Sequence, residues 1–303
     1  LKNQNKVVSM SWTGHWITKE MDAWIGMTTM KNWKDFSLAV KNFGVPGQNI
    51  VYADRRGNIG WRPAVYVPAR KEGFSMVPRP GHLAEYDWAG KIPYGKMPYL
   101  YNPSKGYIVT ANNKTIGSGF PYYISGLWAD PSRADRINEL IEEKASVDIE
   151  DMKSIQLDLK SNFALSILPS VLSIGQDSLS DGQLEVIKQL KQWDGVEDVG
   201  SKGALFFHAF LKEFITNVYQ DELSLLGSGY FEAYVSLKYL TYRKLRHIFS
   251  TKRSSWLDDI NTKNKRESLN DNIYKSLQSA YELIQSNYGH NQENWKWGDA
   301  HSL

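Results

Sequence analysis

The feature that most constrains this chain is a change of hydrophobic period close to residue 130. Residues 1–125 are rich in strand and turn signals, whereas 133–288 carry apolar residues almost wholly at helical spacing. That division predicts an α+β fold, with a strand- and loop-rich part over 1–132 and a helical part over 133–303. Within the first part, Val7 to Trp12 alternates like a strand. A helix is expected over 19–43, with Met27, Met30, Trp33, Phe36, Leu38 and Val40 as apolar positions, stopped by Gly44-Val45-Pro46-Gly47. Asn49–Asp54 and Ile59–Arg62 flank Arg55-Arg56-Gly57-Asn58 and predict a hairpin. The stretch 63–104 holds most of the prolines and reads as ordered loop with short strands. Gly106–Ala111 reads as a further strand, ending in Asn112-Asn113.

The helical part opens at Arg133–Glu143, with Ile137, Leu140 and Ile141 on one face. Asp148 is placed to cap a second helix, whose stripe is Met152, Ile155, Leu159 and Phe163. Ser180 starts a third, ended by Asp194-Gly195. Phe207, Leu211, Phe214 and Val218 mark a fourth, Tyr230–Phe249 a fifth and Ser268–Tyr288 a sixth. Between the last two, the polar run Thr251–Glu267 reads as a solvated connection.

Composition narrows the function classes. The 303 residues include no cysteine, which excludes disulfides, thiolate metal sites and a cysteine nucleophile. A net charge of +3, from 36 basic and 33 acidic side chains, is too mild for a dedicated nucleic-acid binder. No apolar run approaches the length of a membrane span. The 11 Trp, 17 Tyr and 11 Phe fit either a core built from large side chains or an aromatic-lined pocket for an apolar or sugar ligand. The chain opens at Leu1 without an initiator Met or a signal-peptide pattern, so it is expected to be a processed or internal piece of a longer polypeptide.

Searching by mechanism finds no motif. The histidines (His15, His82, His208, His247, His290 and His301) have no i,i+4 pair, and there is no HExxH, EF-hand, Walker A or G-x-S-x-G pattern. Function stays open on these grounds alone.

Three ordered segments add what the mechanism search does not. They are Tyr52-Ala53-Asp54-x-x-Gly57-Asn58-Ile59-Gly60, Asn102-Pro103-x-x-Gly106-Tyr107-Ile108-x-x-x-Asn112-Asn113, and Trp128-x-x-x-x-Arg133-Ala134-x-Arg136-Ile137. Around them lie Trp24 with Lys31-Asn32-Trp33, Trp88-x-Gly90, Gln156-x-Asp158-x-x-Ser161 and the late Trp295-x-Trp297-Gly298-x-x-His301. Together they resemble the penicillin acylase (penicillin amidase) family of N-terminal nucleophile hydrolases, densely over 20–170 and mainly in helical pattern beyond. The resemblance implies part of an αββα sandwich followed by helices, and an enzyme that cleaves acyl amides through a serine freed by self-cleavage. Residue 1 is Leu, so the chain reads as an internal piece of the large subunit. The small subunit and the nucleophile-bearing start of the large subunit would then be partners supplied upstream.

By position, the resemblance makes Asn112 the oxyanion-hole amide and Arg133 the arginine that orders the site. It places Trp24 and Gln48 at the acyl pocket, and it leaves Arg136 to packing or pairing. It also implies no ion in this chain: the family's calcium positions fall mostly upstream, and Ile124 stands near a later one. A small acyl amide is the implied substrate, and a periplasmic or extracellular location follows from family habit alone. Two other readings stay open: a non-catalytic relative that binds acyl or aromatic ligands, and a Trp-rich carbohydrate-binding module.

Overall fold

A computed structural model describes residues 7–71, 76–177 and 179–301. The chain divides into two compact units, Leu1–Trp128 and Ala129–Leu303. In the first unit the single helix expected over 19–43 is two: α1 (Glu20–Thr29) and α2 (Trp33–Val40). The break is made by side chains. Asn32 Oδ1 accepts the N–H groups of Lys34 and Asp35, and the Asp35 carboxylate takes the Lys31 N–H, so a new helix starts at Trp33.

The expected hairpin is present. Strands β1 (Gln48–Ala53) and β2 (Ile59–Ala64) pair antiparallel, with Val51 opposite Trp61. Gly57 takes the left-handed conformation that the turn demands, at φ +81°. β3 (Pro68–Arg70) pairs with β4 (Trp88–Lys91), and the two-residue β5 (Leu100–Tyr101) extends the first sheet alongside β2.

Two expected strands are absent. Residues 106–111 and 7–12 belong to neither sheet. Alternation reports which residues can line two faces, but a strand also needs a neighbour for its ladder. Apolar packing in this unit falls into two small clusters. One joins Phe36, Val40 and Phe43 to Tyr52 and Ala64, and the other joins Val67, Ile92 and Met97.

The second unit is helical throughout, as its period predicts. α3 (Ser132–Glu142) and α4 (Ile149–Gln156) come first, the latter opened by the expected Asp148 in a reciprocal cap with Asp151. The stripe read from Met152 to Phe163 is not one helix. α4 stops at Gln156, residues 157–161 turn, and α5 (Asn162–Leu172) restarts under a Ser161 cap, leaving Leu159 exposed and Phe163 buried. α6 (Asp181–Gln192), α7 (Lys202–Leu225), α8 (Tyr230–Ser236), α9 (Lys238–Thr251), α10 (Leu269–Tyr288) and the short α11 (Trp297–Ala300) complete the unit. The fifth expected helix is thus broken at Leu237. There the Thr241 hydroxyl donates back to the Tyr234 carbonyl across the interruption. Phe206, Phe210, Phe214 and Val218 of α7 and Ile273, Leu277 and Ile284 of α10 belong to one continuous core, closed by Trp295. Among the described residues, no helix is long and apolar enough to cross a membrane.

Candidate functional site

In the first unit the hairpin motif proves to be a hydrogen-bonded knot. Asp54 accepts from the Tyr52 hydroxyl at 2.7 Å, from the Asn58 amide and from the N–H groups of Arg56 and Asn58. Those bonds, the Asn58 side chain foremost, hold its carboxyl down at about 2. Asn102, itself at φ +47°, ties the tip to the following motif: its Oδ1 accepts the Ile59 N–H at 2.9 Å and its Nδ2 donates to Asn58 Oδ1. These residues set geometry, as an Asn- and Gly-rich hairpin requires.

Asn112 lies in a turn rather than at a strand end. Its φ of +60° is a left-handed conformation that Asn tolerates and β-branched residues do not, and the next side chain, Asn113, accepts the Ala111 N–H at 3.0 Å. Asn112 itself is exposed. Trp24, on α1, is half-exposed and meets the Phe43 ring edge-on at 5.9 Å. Gln48 starts β1 opposite Ala64 and is exposed.

One residue not singled out from the sequence, Arg62 on β2, has its guanidinium against Tyr94 and Tyr99, at 4.6 and 4.4 Å from the ring centroids. Its Nε and Nη1 are buried and make no hydrogen bond among the described residues, so the ring faces are what offset its charge.

In the second unit Arg133 lines a cleft of about 380 Å³ with Asp158, Ser161, Glu197, Trp297 and His301. The start of α3 is pinned from below. Buried Asp130 accepts the Ser132 N–H at 3.0 Å and pairs with Arg246, whose Nη2 donates at 2.9 Å. Arg133 therefore stands exposed on the first turn. One turn on, Arg136 grips Asp158 through two parallel bonds of 3.0 and 2.8 Å. Each member of that pair holds the other charged, with the Arg136 pKa raised and the Asp158 pKa lowered. Arg136 is thus a pairing residue, as expected.

The opposite wall is brought in by backbone bonds. Ser161 N–H donates to Gly195 O at 2.8 Å and Glu197 N–H to Leu159 O at 3.0 Å. Glu197 is shielded from solvent, which by itself raises its pKa. The bond from His208 (3.1 Å), the Ser161 hydroxyl and the charge of His301 outweigh burial and hold the carboxylate below its ordinary range. The His208 ring stacks on Trp297 at 4.2 Å, and Trp297 stacks on His301 at 5.0 Å. Gly298 lets this layer sit close: a Cβ there would lie 3.1 Å from Val199 O, whose carbonyl also takes the Gly298 N–H at 2.8 Å. Among the described residues no group of three His, Asp or Glu side chains is arranged to hold a metal ion.

A family model for penicillin amidase matches residues 1–303. The chain belongs to the penicillin amidase family. Its similarity to an acyl-homoserine lactone acylase of Pseudomonas aeruginosa is 28% identity, over 94% of this chain and 35% of that protein. A penicillin acylase 2 proenzyme of a Pseudomonas species is 32% identical over 57% of this chain and 22% of its own. The chain thus spans about a third of the length of the first of these curated relatives. In structure it resembles a thermostable penicillin G acylase from Alcaligenes faecalis, with a TM-score of 0.68 at 19% identity, over 90% of this chain and 52% of that one. The α+β class and the penicillin acylase fold implied by the motifs are therefore those of the structure.

Within this chain of the penicillin amidase family, the structure sets Arg133 in a built cleft and leaves Trp24, Gln48 and Asn112 on the surface of the first unit. Glu197 is not singled out by the sequence, and His208 stands there only as one of six scattered histidines. Both look ordinary in sequence, a polar loop residue and a lone histidine inside a long helix, and only the fold brings them to Trp297 and His301.

Proposed function

We propose that this chain is the part of an acyl amidohydrolase that carries the oxyanion donor and its supporting arginine, with the nucleophile outside it. The observation that carries the reading is the family match over the whole chain together with the motif residues, Asn112 and Arg133 among them. A serine at the start of the large subunit attacks the carbonyl carbon of a small acyl amide. Its proton passes through water to its own α-amine, and the carbonyl oxygen becomes an oxyanion. The Asn112 side-chain amide donates to that oxygen. Arg133 contributes positive charge close to the amino end of the nucleophile. Collapse expels the amine as the α-ammonium returns its proton to the leaving nitrogen, and water then hydrolyses the acyl-enzyme to the free acid and the free serine. Trp24 and Gln48 are assigned to the acyl side of the substrate.

The geometry supports these roles at two points. The left-handed turn fixes the Asn112 backbone, and with it the point from which the side-chain amide departs. Arg133 sits on a helix start held by Asp130, Arg246, Arg136 and Asp158, so its position is set by neighbours rather than by its own flexible stem.

The test is Asn112→Ala in the full-length protein, with chain processing scored separately. Removing one oxyanion donor typically costs roughly 2.7–4 kcal/mol, so kcat is expected to fall by about 100- to 1,000-fold with KM little changed. Unchanged turnover in normally processed protein contradicts the assignment.

A further inference from the structure

Helices α7, α8 and α9 enclose an apolar groove of about 300 Å³ that none of the roles above uses. Its floor is Leu211 and Ile215, both buried, and its sides are Phe231, Val235 and Tyr242, which pack onto the same core. The two threonines of the lining spend their hydroxyls on backbone carbonyls, Thr216 on Lys212 and Thr241 on Tyr234. Apart from the His208 ring and the Tyr242 hydroxyl, the interior therefore offers a ligand mainly hydrocarbon contact.

The mouth is different. Lys212 and Lys238 are both exposed there, no acidic side chain lines the groove, and neither ammonium forms an ion pair among the described residues. We infer that this groove binds a free medium-chain alkanoate, its tail against Leu211, Ile215 and Phe231 and its carboxylate at Lys212 and Lys238.

Size and charge select that class. About 300 Å³ is the lower bound of ordinary ligand pockets, which suits a single chain better than a fused ring system or a helix. Two lysines line the groove without an acidic side chain beside them, which favours an anionic head over a neutral one. The site stands apart from the proposed catalytic role and does not depend on it. It does share His208 with the Arg133 cleft, since that ring lines the groove while bonding Glu197 and stacking on Trp297.

The test is calorimetric titration of the full-length protein with hexanoate, octanoate and octan-1-ol. Octanoate is expected to bind saturably, roughly fourfold tighter for each methylene added beyond hexanoate, and at least tenfold tighter than octan-1-ol. Lys212→Ala with Lys238→Ala, both at exposed positions, should lose that preference and leave octan-1-ol unaffected. Val235→Trp should fill the groove and abolish binding of both ligands, with thermal melting confirming that the variant is folded. The proposal is overturned if octanoate does not bind, if it binds no better than the alcohol, or if the lysine variant keeps the preference. Octanoate binding that survives Val235→Trp in folded protein would place the ligand elsewhere, at the catalytic centre included, and overturns it equally.

Discussion

In this member of the penicillin amidase family, each of the two units is stabilised internally in its own way. The helical unit has one continuous apolar core running along α7 and α10. Among the described residues, the strand-bearing unit has two small clusters, and it stiffens its hairpin with polar bonds among Asp54, Asn58 and Asn102. It also leaves Val7, Trp12, Ile17 and Trp24 exposed. A large core tolerates polar irregularity at its edges, whereas a hairpin fixed by a few side chains depends on each of them. The residues proposed for the oxyanion and the acyl pocket lie in the strand-bearing unit, Gln48 in the hairpin itself.

The largest effect expected from this contrast is Phe214→Ala, which opens a cavity in the centre of the helical core and should cost about 4 kcal/mol. Phe36→Ala, in the small cluster of the first unit, should cost nearer 3 kcal/mol, because a smaller cluster collapses more readily onto the gap. Unit-resolved hydrogen exchange in urea measures both, and an equal or larger loss at Phe36 would break the contrast. Gly60→Ala comes next, at about 2 kcal/mol: the new Cβ would meet the Trp33 ring at 2.2 Å and force it off its stack with Tyr101. Ser180→Ala, which removes one reciprocal helix cap from the second unit, should cost about 1 kcal/mol by the same measurement.

The effects of pH run in opposite directions in the two units. Glu20 and Asp54, both in the first unit, titrate at about 2. For Glu20, burial raises the pKa, but the Thr18 hydroxyl and the N–H groups of Val45 and Gly44 more than reverse it. Their ordinary values are 4.5 and 3.8, so their contribution is complete above about pH 4.5 and is lost as pH falls towards 2. Glu222, in the second unit, is pushed up to about 7 by burial and by Asp221. Its stabilisation is present below about pH 4.5 and disappears as pH rises through 7. Glu222→Gln should therefore flatten the stability of the helical unit between pH 5 and pH 8. A slope identical to that of the parent protein would remove Glu222 from the explanation.

Much of this architecture is legible in the sequence where a local rule decides it. Asp148, Ser180 and Ser268 announce helix starts, and all three form the reciprocal cap. Gly57 and Asn58 announce the hairpin. The reading fails where a periodic stripe runs through a break. Asn32, Ser161 and Leu237 each interrupt an expected helix, and the first two are capping residues whose signal is outweighed by the apolar positions around them. Residues 106–111 fail for another reason, since pattern alone does not supply a partner strand. In the cleft, Arg133 and His301 both belong to the family motifs, but the resemblance gives a role to Arg133 alone. Glu197 and His208 meet only because the turn at 157–161 pairs with 195–197, which no spacing within either segment announces.

The central claim is that this chain works with a nucleophile lying outside it. Intact mass and N-terminal sequencing of the native protein test that most directly. The predicted result is a mature large subunit that begins with serine upstream of Leu1 and contains this chain. A native product that begins at Leu1, with no separate serine-bearing segment bound to it, would contradict catalysis and leave a ligand-binding relative in its place.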